Sequence, residues 1–308
     1  MSPTPRTPPA VRASISNRIN AYALAKGQNP SMVRRRFVMS RFLARVFAVD
    51  PDGWILKGGV GMMVRLPEAR YSKDIDIIAI DAEDPVDELR RIVRDNHLDH
   101  FRFEVGHPRV LSGGKGSSVS VTARIANSVF DNFSLDIVDS RRELVGRVER
   151  HPLPLLVATD DFLPHETDVQ LYPLADQIAD KICAMYETYG RDGAPSGRLR
   201  DLVDLLLISM FLPIDLTSTV TAVERERTLR EIPTLPEVLE SPGPHWPTQW
   251  KSVASNSPLS ADYHEFDVAL DAGQRCYDRI LSSLPTGDTA AVWHHGKGIW
   301  TDTLTQRR

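Results

Sequence analysis

The sequence predicts an α/β to α+β core built on a mixed sheet, followed by an all-α, mainly helical C-terminal domain. Three observations carry that reading. Strand-like and helix-like hydrophobic periods alternate between residues 51 and 145, as expected of a sheet flanked by helices. Beyond about Ser140 the pattern turns to amphipathic helices. A chain of 308 residues also exceeds the usual domain size of about 100–150 residues, so two domains are expected.

Residues 1–10 carry Pro3, Pro5, Pro8 and Pro9 among small polar residues and read as a disordered lead-in. Two helices are expected over 11–50. The first runs from Val11 to Lys26, with Ile15, Ile19, Tyr22 and Ala23 at helical spacing and Gly27 as its C-terminal cap. Asn29-Pro30-Ser31 starts the second, which reaches about Val49 before Pro51-Asp52-Gly53. Its arginines Arg34, Arg35, Arg36, Arg41 and Arg45 read as a solvated face, or as contacts to RNA phosphates.

The core is assigned to 51–145. Trp54-Ile55-Leu56 leads into Lys57-Gly58-Gly59 and a short helix over Gly61–Leu66. Ile75–Ile80 is too apolar for an exposed edge and reads as a buried strand, followed by an amphipathic helix over Asp84–Asn96. Phe101–Val105, Val119–Ile125 and Phe133–Val138 read as three further strands, with Gly113-Gly114-Lys115-Gly116 as a hairpin turn. That glycine run is not a P-loop, because Gly116 stands where Ser or Thr must follow the lysine. In 146–308, helices are expected over Leu174–Tyr189, Leu199–Met210, Thr219–Glu231 and Asp262–Ser283, with a Pro/Ser-rich stretch over 213–260 and a weakly specified tail.

Composition excludes several classes. Apolar residues make up 42% and charged residues 25%, near the globular average, so neither a wholly disordered nor a collagen-like chain is expected. No apolar run approaches the ~20 residues of a membrane helix, and the opening MSPTPRTPPAVR lacks the apolar centre of a signal peptide. The expected location is the cytoplasm, with no membrane partner. A net charge of −4, from 37 basic and 41 acidic side chains, argues against indiscriminate coating of nucleic acid but permits a local basic patch. Cys183 and Cys276 lie far apart with no histidine at metal-ligand spacing, so free thiols are expected rather than a zinc site.

The chemistry concentrates in Leu56-Lys57-Gly58-Gly59 and Arg70-Tyr71-Ser72-Lys73-Asp74-Ile75-Asp76-Ile77. On a strand, Asp74 and Asp76 share one face while Ile75 and Ile77 enter the core. Two carboxylates so close repel unless a cation sits between them, and hard oxygen ligands suit Mg²⁺, with Mn²⁺ able to substitute. Asp136 interrupts the apolar run Phe133–Val138; such a charge needs a partner, and as a third carboxylate it would complete a two-metal site. At Gly58-Gly59 the backbone can approach a phosphate chain, with the N–H groups of a following helix start favouring anions. Further along, Asp180-Lys181 lies on one helix and Arg198-x-Arg200-Asp201-x-x-Asp204 opens another. There Asp201 and Asp204 share a face, and Arg200 can pair with one of them.

This order resembles the nucleotidyltransferase superfamily related to DNA polymerase β and, within it, the AbiEii/AbiGii toxin family of bacterial toxin–antitoxin and phage-defence systems. The matching pattern is Leu-Lys-Gly-Gly, Arg-x-Ser-x-Asp-x-Asp, then a downstream Lys and Arg-Asp-x-x-Asp. The resemblance spans roughly residues 30–210 and departs at Val60, where Ser or Thr is common. It implies a polymerase β-like core with Asp74, Asp76 and Asp136 on Mg²⁺. Lys57, Gly58, Gly59, Arg70, Ser72, Lys181 and Arg200 would then serve the nucleoside triphosphate. Lys181 would reach the triphosphate across a cleft between the domains, and Asp204 would hold the catalytic geometry. The implied acceptor is RNA, a tRNA 3′ end first, with translation blocked and a separately encoded antitoxin as partner. A phosphoryl group on Ser72, two residues before Asp74, would crowd the triphosphate pocket with negative charge and act as an off-switch. Two other readings are an antibiotic-type nucleotidyltransferase with a small hydroxylated acceptor, and a non-catalytic nucleotide-binding regulator. Three like charges in one cleft argue against the last.

Overall fold

The structure is a computed structural model describing residues 7–67, 69–94, 99–111, 116–139, 143–157, 167–188, 190, 193–284 and 290–303. It divides into two compact units. The first comprises residues 1–65, 71–142 and 148–171, and the second 66–70, 143–147 and 172–308.

The first unit opens with α1 (Pro8–Ala25) and α2 (Pro30–Val49). Its helix begins at Pro8, inside the expected lead-in, because a proline near the start has no N–H to waste and its φ is already helical. Gly27 turns the chain out at φ +61°, and the Asn29 side chain accepts from the Ser31 N–H at 2.8 Å to cap α2. Then come β1 (Trp54–Lys57), α3 (Gly58–Arg65), β2 (Asp74–Ala79), α4 (Pro85–Arg94), β3 (Phe101–Val105) and β4 (Arg109–Val110). β5 (Gly116–Ile125), β6 (Ser128–Asp139), β7 (Glu149–Pro152) and β8 (Asp168–Leu171) complete it. These form one mixed sheet in the order β3-β5-β6-β2-β1-β8-β7, with β4 on β5. The pairs β2–β6 and β1–β8 are parallel. Residues 1–6, the expected helix end at Asp95-Asn96 and the turn residues Gly113, Gly114 and Lys115 lie outside the described residues.

Apolar alternation fixes which sheet face is buried. Phe101, Phe103, Val119, Val121, Phe133, Leu135, Ile75 and Ile77 are all at most 6% exposed. Phe42 of α2 meets Phe103 and Phe133 edge-on, at 5.3 and 5.4 Å between ring centres. The expectation that all five α2 arginines face solvent or RNA is corrected here. Arg41 and Arg45 are 2% and 1% exposed and share Asp99, at 3.0 and 2.6 Å. Buried guanidinium groups need such a partner, and this one comes from a stretch far along the chain.

The sheet also takes in β7 and β8, so the first unit runs to Leu171 rather than ending near residue 145. The second unit contains α5 (Leu174–Tyr186), α6 (Leu199–Phe211), α7 (Leu216–Leu229), α8 (Trp246–Ala254) and α9 (Phe266–Ser283). It is mainly helical but not all-α, because β9 (Ile214–Asp215), β10 (Ala291–His294) and β11 (Ile299–Asp302) form a small antiparallel sheet. α6 is buried nearly all round, as its Leu205-Leu206-Leu207-Ile208 run demands. Two buried polar groups bond to its backbone: Tyr277 Oη donates to the Leu205 carbonyl and Trp293 Nε1 to the Ser209 carbonyl, both at 2.7 Å. Among the described residues no helix is long and apolar enough to cross a membrane.

Candidate active site

In the first unit the sheet register assembles the acidic residues. Ile75, Ile77, Leu135 and Ile137 enter the core, so the alternate positions turn to the opposite face. There Asp74 is exposed while Asp76 and Asp136 are half-buried. Lys57 pairs with Asp76 across β1 and β2, and Asp76 pairs with Asp136 across β2 and β6. Side chains in direct register point the same way, so Lys57, Asp76 and Asp136 form a row across three adjacent strands. Asp74 stands one step along β2, in register with Ser134.

The glycine pair is shaped to this row. Gly58 has φ +63°, which L side chains rarely adopt. A Cβ there would stand 1.8 Å from Asp76 Oδ2. A Cβ on Gly59 would stand 2.6 Å from both Cβ and Oγ of Ser72. Ser72 in turn donates from Oγ to the Asp74 carbonyl at 3.3 Å. The bend therefore lies directly against the acidic strand, and α3 starts at Gly58, where helix N–H groups lack intrahelical acceptors. Lys57, Gly58, Gly59, Ser72, Asp74, Asp76 and Asp136 thus gather in one place.

These residues suit a hard divalent cation in two respects: all the acidic donors are carboxylate oxygens, and their backbones bring them to one sheet face. Among the described residues, however, no three His, Cys, Asp or Glu side chains stand close enough together to hold an ion. The carboxylates would have to turn towards one another to close on it.

The second unit holds a separate charged cluster. Lys181 of α5 is 7% exposed, and Asp201 and Asp204 of α6 are 4% and 1% exposed. Lys181 Nζ donates to Asp204 Oδ2 at 2.5 Å and to Asp201 Oδ1 at 3.2 Å. The expected partner Arg200 is exposed and, among the described residues, makes no ion pair with either acid. Instead Arg198 Nε lies 2.5 Å from Asp201 Oδ2. Arg70 Nη2 donates to Asp204 Oδ2 at 3.0 Å, and its Nε lies 2.9 Å from Oδ1. Burial works against charge in both Lys181 and Asp201 but is outweighed. The lysine pKa is raised by Asp204 and then Asp201, and the Asp201 pKa is lowered by Lys181 and Arg198. Asp180, beside Lys181, lies 3.6 Å from Arg230.

Sequence reasoning missed two members of this unit. Arg198 sits at the helix cap, where only the local three-residue spacing to Asp201 could have marked it. Asp176 is 3% exposed and accepts the Val145 and Gly146 N–H groups at 3.0 and 2.7 Å, a loop contact with no local signature.

The family model described as nucleotidyl transferase AbiEii toxin, type IV TA system, matches residues 41–272. MenT4, a nucleotidyltransferase toxin from Mycobacterium tuberculosis H37Rv, has a solved structure similar to this chain with a TM-score of 0.50 at 16% identity, covering 68% of each chain. JHP933 from Helicobacter pylori is similar with a TM-score of 0.45 at 11% identity, covering 83% of this chain and 94% of that one. The MenT4 likeness is one of fold. No curated protein matches.

Proposed function

The chain belongs to the AbiEii nucleotidyl transferase toxin family of type IV toxin–antitoxin systems, and from that premise we propose that it transfers a nucleoside monophosphate from a nucleoside triphosphate to an RNA 3′-hydroxyl, with tRNA as the first acceptor to test. Membership brings a nucleotide substrate and an antitoxin partner; that the antitoxin is separately encoded, and that the outcome is blocked translation, belong to this proposal. The observation that carries it is the row of Lys57, Asp76 and Asp136 beside the Gly58 bend.

In this reading the acceptor oxygen attacks the α-phosphorus, the bond to the β-phosphate oxygen breaks, and pyrophosphate leaves. Asp74, Asp76 and Asp136 would hold Mg²⁺, which supplies charge neutralisation on the phosphates and a lowered pKa for the acceptor hydroxyl. Lys57 and the N–H groups at Gly58-Gly59 take the charge of the leaving phosphates. Ser72, packed on Gly59, borders that anion pocket, so its phosphorylation would place negative charge where the triphosphate binds. Lys181, Arg70 and Arg200 are proposed to serve the nucleotide and Asp204 to hold the catalytic geometry, and Lys181→Met is expected to lose transfer.

The test is incubation with each labelled nucleoside triphosphate, Mg²⁺ and total cellular RNA, comparing the wild type with Asp76→Ala. Label in one RNA species for the wild type alone is expected. Label on no RNA with any donor would contradict the proposal.

A further inference from the structure

The row across the first unit's sheet does not end at Asp136. Ser118 of β5 is in register with Asp136, and Arg109 of β4 is in register with Ser118. Crossing the sheet from β1, the row therefore reads Lys57, Asp76, Asp136, Ser118, Arg109: a cation, two carboxylates, a hydroxyl, a cation. One step along, Asp74 is followed by Ser134 and Ser120, both exposed, so β5 and β6 present uncharged hydroxyls beside the acidic pair.

We infer that Arg109, with Ser118 beside it, binds the acceptor RNA strand, taking the phosphate next to the attacking 3′-hydroxyl. The inference rests on the proposed transfer to RNA. Both substrates are polyanions and the centre of the row is acidic, so each must be held from a cationic flank. The Lys57 flank carries the Gly58-Gly59 bend and suits the triphosphate. The opposite flank is then left for the acceptor. Strand spacing of about 4.8 Å puts Arg109 roughly 10 Å from Asp136, close enough for its long side chain to meet a phosphate one sugar removed from the reacting oxygen. Hydroxyls between the two can bond ribose without repelling either charge.

The arginine is available for this. Arg35, Arg90 and Arg124 are held by Asp131, Asp87 and Glu104, whereas Arg109 is exposed and has no acid partner among the described residues. The strand that pairs with it is packed closely on β6. Gly116 at φ +151° lies so close to β6 that a Cβ would stand 2.1 Å from the Ile137 carbonyl oxygen, and the Leu111 N–H donates to the Gly116 carbonyl at 3.0 Å.

The experiment measures binding of fluorescein-labelled unfractionated tRNA at a series of KCl concentrations, without nucleotide, for the wild type, Arg109→Gln and Arg109→Lys. Losing one contact to a single-stranded phosphate should lower the slope of log affinity against log salt by about 0.7. That loss is expected for Arg109→Gln, with Arg109→Lys near the wild type because a phosphate contact is mainly charge. In transfer assays, Arg109→Gln should raise KM for RNA several-fold with KM for the triphosphate unchanged. An unchanged salt slope for Arg109→Gln overturns the inference, as does an equal rise in both KM values. If the slope falls but the wild type labels no RNA, the RNA track stands and the transfer reading fails.

Discussion

Gly58 carries two constraints at once: a left-handed backbone and an approach to Asp76 closer than any Cβ permits. Gly58→Ala is therefore expected to cost about 1–3 kcal/mol from backbone strain alone, and more from displacing Asp76. Urea unfolding should show the stability loss, and transfer should fall further than the unfolded fraction explains. The Lys181 cluster makes a pH prediction. Asp201 has its folded pKa lowered from 3.8, so its contribution is present above pH 3.8 and is lost as pH falls below it. Lys181 has its pKa raised from 10.5, so its contribution is present below pH 10.5 and is lost as pH rises past it. Lys181→Met should cost about 3 kcal/mol at neutral pH, since it takes one cation from two buried acids, and should flatten the loss of urea stability as pH falls below 3.8. These motif residues were legible because glycine and paired carboxylates are rare where a strand should be apolar. The ion-pair partners were not. By local spacing Arg198 can reach Asp201, three residues on, and Arg200 can reach Asp204, four residues on; only the packed structure decides that the first pair forms and, among the described residues, the second does not.

At the scale of elements, α2 shows how tertiary partners override local pattern. Its arginines repeat on a helix face that reads as solvated, yet Arg41 and Arg45 are buried on Asp99. Asp99→Ala should cost about 3–5 kcal/mol by leaving two guanidinium groups without their acid, far beyond the ±0.5 kcal/mol usual for a surface change. A shift in the urea midpoint checks it. The strands with strong alternation, β2, β3, β5 and β6, were readable, although β5 and β6 extend beyond the runs expected. β7 and β8 were not, because Glu149-Arg150-His151-Pro152 and Asp168-Val169-Gln170-Leu171 are short, polar and paired mainly across long separations. α8 was hidden by its Pro/Ser-rich surroundings, where Trp246-Pro247 gives a proline-led start but few helical repeats. The small sheet of β9, β10 and β11 joins Ile214 to Trp293, a pairing no local window contains.

For the whole molecule, the order of motifs was sufficient to anticipate the family, whose model matches residues 41–272. The division into units was less legible: segments 66–70 and 143–147 belong with the second unit while 148–171 belongs with the first, so composition shifts along the chain do not mark the boundary. Expression of the wild type is expected to arrest bacterial growth, and Asp76→Ala to relieve the arrest at equal protein level, as growth curves with immunoblots would show. The central claim is that Asp74, Asp76 and Asp136 together hold divalent metal at the sheet face. It is tested most directly by Mn²⁺ titration followed by electron paramagnetic resonance, with a non-hydrolysable triphosphate present, for the wild type and Asp136→Asn. The account predicts two bound ions per wild-type chain and one for Asp136→Asn with its fold intact. Equal stoichiometry and affinity in the two proteins would contradict it.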